Sequence, residues 1–236
     1  MRIHVIRHVP FEGPELIAEW AAARKHELTE SFALTEEYPR FDEVELVVVM
    51  GGPMAADDHV TSPWLAAEKR YLNRAVSQGV AILGVCLGAQ ILAEVAGGRI
   101  CRNKHLEAGW FPVTTTPEAR TDPVFSAFPD GLIVGHWHGD TFELPSDARP
   151  MLSSKATPNQ AFSLAGGRLV GLQCHLEWTR EALAKLVEEC GEELAVGGRY
   201  AVSPEAMLGE AQQRIPACRD ALFAVLGSIE KVARRR

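Results

Sequence analysis

Short apolar runs, punctuated by glycine and proline, alternate along this chain with stretches of helical spacing. Residues 3–6, 44–50 and 80–83 are apolar and rich in β-branched side chains, His4 and Glu45 apart, as strands buried on both faces require. Residues 27–34 read as a further strand, second in chain order. Residues 14–24 and 90–96 favour helix. A third helix is expected after Ser62, with Ser62 as N-cap, Pro63 in the first helical position and Gly79 just past the end. In it Leu65, Leu72 and Val76 share one face, with Trp64 and Tyr71 beside it. Strand–helix alternation of this kind predicts a mostly parallel sheet covered on both faces.

The pattern changes from residue 108 to residue 172. Strand-like pieces at 110–113, 132–137, 151–154 and 161–164 are separated by Pro, Gly, Asp and Ser, and are expected as antiparallel strands at the edge of the same domain. Residues 169–172 form another short buried strand, and helix returns at 180–190. Gly197-Gly198 and Pro204 interrupt it, and 205–232 can hold one or two helices, with Pro216 expected as a boundary. No internal repeat or low-complexity linker divides the chain. We therefore expect one domain over 1–236, with a core at 1–190 and a helical C-terminal extension at 191–236.

Composition fits a compact enzyme. The 236 residues are 47% hydrophobic and 23% charged, enough for one full α/β core. The formal net charge of -7 and the lack of a basic face disfavour a nucleic-acid partner. Lys231 and Arg234-Arg235-Arg236 make a small basic tail, expected to be solvated. No apolar run approaches the ~20 residues of a membrane span, and the N-terminus opens a strand where a signal peptide would carry an apolar core. The five cysteines, at 86, 101, 174, 190 and 218, show no metal-type spacing. A free thiol suits a reducing compartment, so a cytoplasmic location is expected. Cys174 adjoins His175, and closeness to Cys86, with a disulfide or a resolving role, stays open.

Three segments carry candidate chemistry. Gly84-Val85-Cys86-Leu87-Gly88-Ala89-Gln90 reads as strand, sharp turn, helix, with Cys86 at a helix N-terminus that favours a thiolate. This is the elbow logic of an exposed nucleophile. His175 and Glu177 follow the strand at 169–172 two residues apart, so in extended chain they point to one side and the carboxylate can orient the imidazole. Gly51-Gly52-Pro53-Met54 follows the strand at 44–50, where bare backbone N–H groups can reach a developing oxyanion.

Together these segments resemble the class I glutamine amidotransferases. The stretch 84–90 is similar to that family's Gly-x-Cys-x-Gly-x-Gln, and Gln173-Cys174-His175-Leu176-Glu177 to its His-x-Glu motif. Gly51-Gly52-Pro53 is similar to its oxyanion turn, and His136-Trp137-His138-Gly139-Asp140 to the His-Gly-Asp loop of the GMP-synthase-like branch. Cys174 and Leu176 stand where Phe and Pro are commoner. The resemblance implies an α/β fold with a flavodoxin-like, mostly parallel open sheet, helices on both faces and an antiparallel edge extension. It implies catalysis by Cys86, His175 and Glu177 and an oxyanion hole at Gly52 and Leu87. Substrate contacts fall to Gln90, Gly139 and Asp140, and neither a cofactor nor a metal is expected. For His136 and His138 a structural turn and a direct role stay equally open. The implied function is release of ammonia from the glutamine side chain through a Cys86 thioester. The acceptor stays unassigned. No stretch resembles an ATP-pyrophosphatase domain, which leaves room for a separately encoded synthetase subunit. Two other readings stay open: a hydrolase of other γ-glutamyl compounds, and a non-enzymatic regulatory module on the same fold.

Overall fold

The structure, a computed structural model, describes residues 1–35, 38–58 and 61–235, so Arg236 of the basic tail lies outside it. In chain order the elements are β1 (Arg2–Arg7), α1 (Glu15–Ala23), β2 (Glu27–Phe32), β3 (Leu46–Val49), α2 (Trp64–Ser77), β4 (Ala81–Val85) and α3 (Leu87–Val95). Then follow β5 (Arg99–Pro112), β6 (Thr114–Thr115), β7 (Ile133–Glu143), β8 (Arg149–Ser153), β9 (Ala161–Leu164), β10 (Leu169–Leu172), α4 (Arg180–Cys190), β11 (Tyr200–Ala201) and α5 (Pro204–Ala233).

The main sheet runs β2-β1-β3-β4-β10-β9-β8-β6. Its first five strands are parallel, and β9, β8 and β6 add antiparallel strands beyond β10. Period-two alternation divides the core. Leu46 and Val48 of β3 pack on the face holding α1, α4 and α5, while Val47 and Val49 pack on the face holding α2 and α3. The α/β fold, the parallel sheet covered on both faces and the antiparallel extension agree with the expectation.

Three details differ from it. The strands at 110–113 and 132–137 belong to longer strands, β5 and β7, which leave the main sheet and pair with each other and β11 in a second sheet. The polar N-terminal half of β5, Arg99 to Leu106, carries no alternation to mark it. At α2 the N-cap is Pro63, with φ −64° and no side-chain cap, and Ser62 contributes only its carbonyl, which accepts from Leu65 N. The other end is as expected: Gly79 takes φ +69°, and Gly79 N and Val80 N donate to Val76 O and Ala75 O in a Schellman motif. Finally, Pro216 does not divide the C-terminal helix but lies inside the 30-residue α5. Pro216 and Gln212 are both exposed, so the carbonyl that loses its intrahelical donor faces water.

Among the described residues no helix is long and apolar enough to cross a membrane.

Candidate active site

The parallel strands deliver β1, β3, β4 and β10 side by side, and the loops at their C-terminal ends converge where open α/β sheets bind ligands. The turn after β4 is the tightest of them. Cys86 adopts φ +50°, ψ −107°, a conformation that L-residues occupy only under strain, and its N–H donates to Leu172 O at 2.7 Å. Both flanking glycines are needed: a methyl group at Gly84 would overlap the Gly88 backbone, and one at Gly88 would overlap the Val49 carbonyl. Strand β3 is thereby held against the elbow, and its own continuation is the Gly51-Gly52 turn. Gly52 sits close to Leu87, and Leu87, as the first residue of α3, has a backbone N–H with no acceptor inside the helix.

His175 arrives from the end of β10. It exchanges backbone hydrogen bonds with Gly135 of β7, and its ring stacks on Trp178, with centroids 4.2 Å apart. Its Nδ1–H donates to Glu177 Oε1 at 2.7 Å, and Glu177 Oε2 accepts from Leu176 N. Both side chains are buried. Burial alone would lower the His175 pKa, but the charges of Glu177 and Cys86 more than reverse it and hold it well above the usual imidazole value. Nε2 has no hydrogen-bond partner among the described residues. The ring therefore has one nitrogen fixed by a carboxylate and the other available beside a thiol.

A cavity of about 350 Å³ opens over Cys86. Gly52, Leu87, Gln90, Gly139, Asp140 and His175 all line it, while Glu177 stands behind His175. The amide nitrogen of Gln90 donates to Asp140 O at 3.3 Å and to Gln173 Oε1 at 3.2 Å. The Gln173 amide in turn donates to Cys86 Sγ at 3.7 Å. Gln90 thus braces both the 139–140 turn and a donor to the sulfur. Arg102 closes the mouth, paired with Asp140 at 2.9 Å.

Several residues of this region escaped the sequence reading. Glu68 lies on the apolar face of α2, fully buried, and pairs with His8 Nε2 at 3.2 Å. His8 Nδ1 also bonds Gly51 O at 3.0 Å, so the pair supports the glycine turn. Burial works to lower the His8 pKa, but Glu68 raises it above the usual value. A charged residue at an apolar-stripe position was the available signal. Glu12, on the loop after β1, lines the cavity too. Burial pushes its carboxyl up to about 7, with His175 pulling it down and Glu177 adding to the rise. The signal there was only its place after the first strand.

His136 and His138 lie beneath the 139–140 turn with Glu107, and the three could present donor atoms within 4.8 Å of one another to a metal ion. As they stand Glu107 and His138 are bonded together, while His136 Nδ1 lies 3.7 Å from Glu107 Oε1 and its Nε2 bonds Phe111 O. Glu107 Oε2 is 3.3 Å from His138 Nε2 and accepts from Thr157 and Gln160, each at 2.7 Å, while His138 Nδ1 bonds Asp140 O. Burial would raise the Glu107 carboxyl, but the bond from His138 and the charge of His136 hold it at about 2. Burial lowers His136 to about 4.

Cys174 and Cys86 form no disulfide. The Cys174 thiol is fully buried against Gln160 O, burial pushes it well above the usual value, and all five cysteines are free. Cys190 is the second thiol lining the cavity, held at about 11 chiefly by burial.

The chain matches known proteins along most of its length. Residues 22–190 match the family model described as glutamine amidotransferase class-I. A glutamine amidotransferase-like protein, YfeJ, of Salmonella typhimurium is 32% identical over 200 residues, 83% of each chain. A subunit of the glutamine-hydrolysing GMP synthase of Picrophilus torridus is 29% identical over 56% of this chain and 66% of its own length. The crystal structure of a glutamine amidotransferase from Thermotoga maritima superposes with a TM-score of 0.87 at 29% identity, covering 98% of both chains.

Proposed function

The chain belongs to the class-I glutamine amidotransferase family, and on that premise we propose that it hydrolyses the side-chain amide of glutamine through a thioester on Cys86. The observation that carries this reading is the strained elbow at Cys86 facing an imidazole whose far nitrogen is bonded to Glu177 at 2.7 Å.

In the proposed reaction Cys86 Sγ attacks the amide carbon, with His175 as imidazolium beside the thiolate. The raised pKa of His175 supports that ion pair at neutral pH. The N–H groups of Gly52 and Leu87 receive the developing oxyanion. His175 Nε2 gives its proton to the departing nitrogen, the C–N bond breaks and ammonia leaves. Water then attacks the thioester, His175 takes its proton, the C–S bond breaks and glutamate departs, leaving the thiolate–imidazolium pair restored. Gln90, Gly139 and Asp140 hold the α-amino and α-carboxyl groups. The Picrophilus relative is one subunit of its synthase. By analogy a separate synthetase chain would receive the ammonia here.

Intact-mass measurement after exposure to a diazo-ketone glutamine analogue tests the chemistry. One adduct on Cys86 is expected, lost in Cys86→Ala and strongly slowed in His175→Ala. Labelling that persists in Cys86→Ala would remove the basis of the proposal. A second reading, hydrolysis of other γ-glutamyl amides, draws support from Glu12, a carboxyl group that lines the cavity and interacts with His175.

A further inference from the structure

The cavity has two chemically different walls. On one side stand Gln90, Asp140 and Arg102, joined to one another by the hydrogen bonds and ion pair described above. On the other stand His175, Glu12 and Glu193. The position of Glu12 is well defined. A methyl group at Gly51 would overlap its Oε2, and Cβ of Cys86 lies 3.6 Å from that same point, so the carboxyl adjoins the nucleophile. Its main chain is tied down by Arg7 Nε, which donates to Glu12 O at 3.3 Å. Glu193, in the turn after α4, accepts from Trp137 Nε1 at 3.1 Å and faces the same space.

The proposed chemistry assigns these walls. His175 must protonate the leaving nitrogen, so any substituent on that nitrogen emerges on the His175 side, against Glu12 and Glu193. Glutamine, whose leaving group is ammonia, puts nothing there. An amine with a second ammonium group would place it beside carboxylates that share this wall with His175 and that no Lys or Arg among the described residues pairs with. We propose that Glu12 is a specificity determinant for the leaving amine, and that the cavity takes γ-glutamyl amides of diamines, whose distal ammonium Glu12 binds. This deepens the reading of Cys86 and His175 and rests on it. The reaction balances as before: the amide C–N bond breaks, the C–S bond forms, the His175 proton goes to the diamine nitrogen, and water completes the hydrolysis.

Glu12 is faced by His8, paired to Glu68 of α2, by His175 and Glu177 after β10, by Cys190 of α4, by Glu193 and by Cys86 at the head of α3. Its carboxyl, at about 7 when no cation is bound, gains its full charge over the neutral range. That supplies a readout a merely structural role would not move.

The test compares kcat/KM for glutamine, the γ-glutamyl amide of 1,4-diaminobutane, that of n-pentylamine, which has the same length without the charge, and that of 4-aminobutyrate, which ends in a carboxylate. The diamine amide is expected to exceed the pentylamine amide by about tenfold or more, a hydrogen-bonded charge's worth, with the carboxylate-ended amide slowest. Between pH 6 and 8 the ratio of the first two should rise. In Glu12→Gln it should fall to within about twofold and lose its pH dependence, while Glu12→Asp retains part of it. A wild-type ratio near one, or a ratio untouched by Glu12→Gln, overturns the inference. If Cys86 is labelled and glutamine is hydrolysed in that case, the underlying reading stands. If no γ-glutamyl compound acylates Cys86, both fall.

Discussion

Cys86, His175 and Glu177 were legible because each sits in a short motif whose meaning is local: a glycine-flanked turn, and two side chains two residues apart in extended chain. Glu12, Glu68 and Glu107 were not, because what makes them informative is burial by elements far away in sequence. Glu68 looks like any helix carboxylate until His8, sixty residues earlier, is folded against it. The shift at His175 leads to a prediction at this scale. Its folded pKa is raised, so the imidazolium persists above its ordinary value of 6.5 and the alkaline limb of kcat/KM should lie above that value. By the same linkage, pairing with Glu177 adds stability that is present below pH 6.5 and lost as pH climbs through the folded value. In Glu177→Gln the larger of the two raising charges is gone while burial and Cys86 remain, so the limb should move to lower pH while kcat falls by about 10²–10⁴. An unmoved limb in a pH–rate profile would show that Glu177 does not act on His175.

Elements position these side chains through contacts that leave little room. Gly135 of β7 must lack a side chain because Trp178 occupies that space, and Trp178 is the surface on which the His175 ring lies. The second sheet therefore does more than carry the 139–140 turn. Its β7 both pairs with the His175 backbone and admits the tryptophan that backs the ring. This arrangement was invisible in the chain, where 132–137 read as one more strand of the same edge. Helix α5 gives the opposite lesson. Pro216 was read as a break, but its surroundings on the solvent side tolerate the missing hydrogen bond, and the helix continues because its inner face is packed on α1 and α4. The proline should still cost helix stability. Pro216→Ala is expected to stabilise the protein by about 1–3 kcal/mol, raising Tm by roughly 2–4 °C per kcal/mol in thermal unfolding followed by circular dichroism. A lowered Tm would mean that the helix needs the proline's geometry.

For the whole molecule, the expectation of a single domain becomes a proposal about cooperativity. The segment after α4 is not an appendage: β11 pairs with β5, Trp110 Nε1 donates to Met207 O at 2.9 Å, and Leu222, Val225, Leu226 and Ile229 of α5 are buried in the main core. A chain ending at Cys190 would expose that surface on α1, α4 and the sheet. We expect it to lose its sharp urea transition and to bind ANS. A truncated protein with an undiminished cooperative transition would show the extension to be a separate unit. Strand order has one more consequence, and it concerns time. Strand β10 lies between β4 and β9, so the middle of the main sheet is filled by one of the last strands to be made. About 90 residues separate Cys86 from His175, so on a ribosome the cysteine precedes the histidine by roughly 5–20 s. During that interval the growing chain holds a thiol and its turn without the imidazole proposed to activate it. The order of synthesis thus leaves the proposed nucleophile without its partner until the centre of the sheet closes.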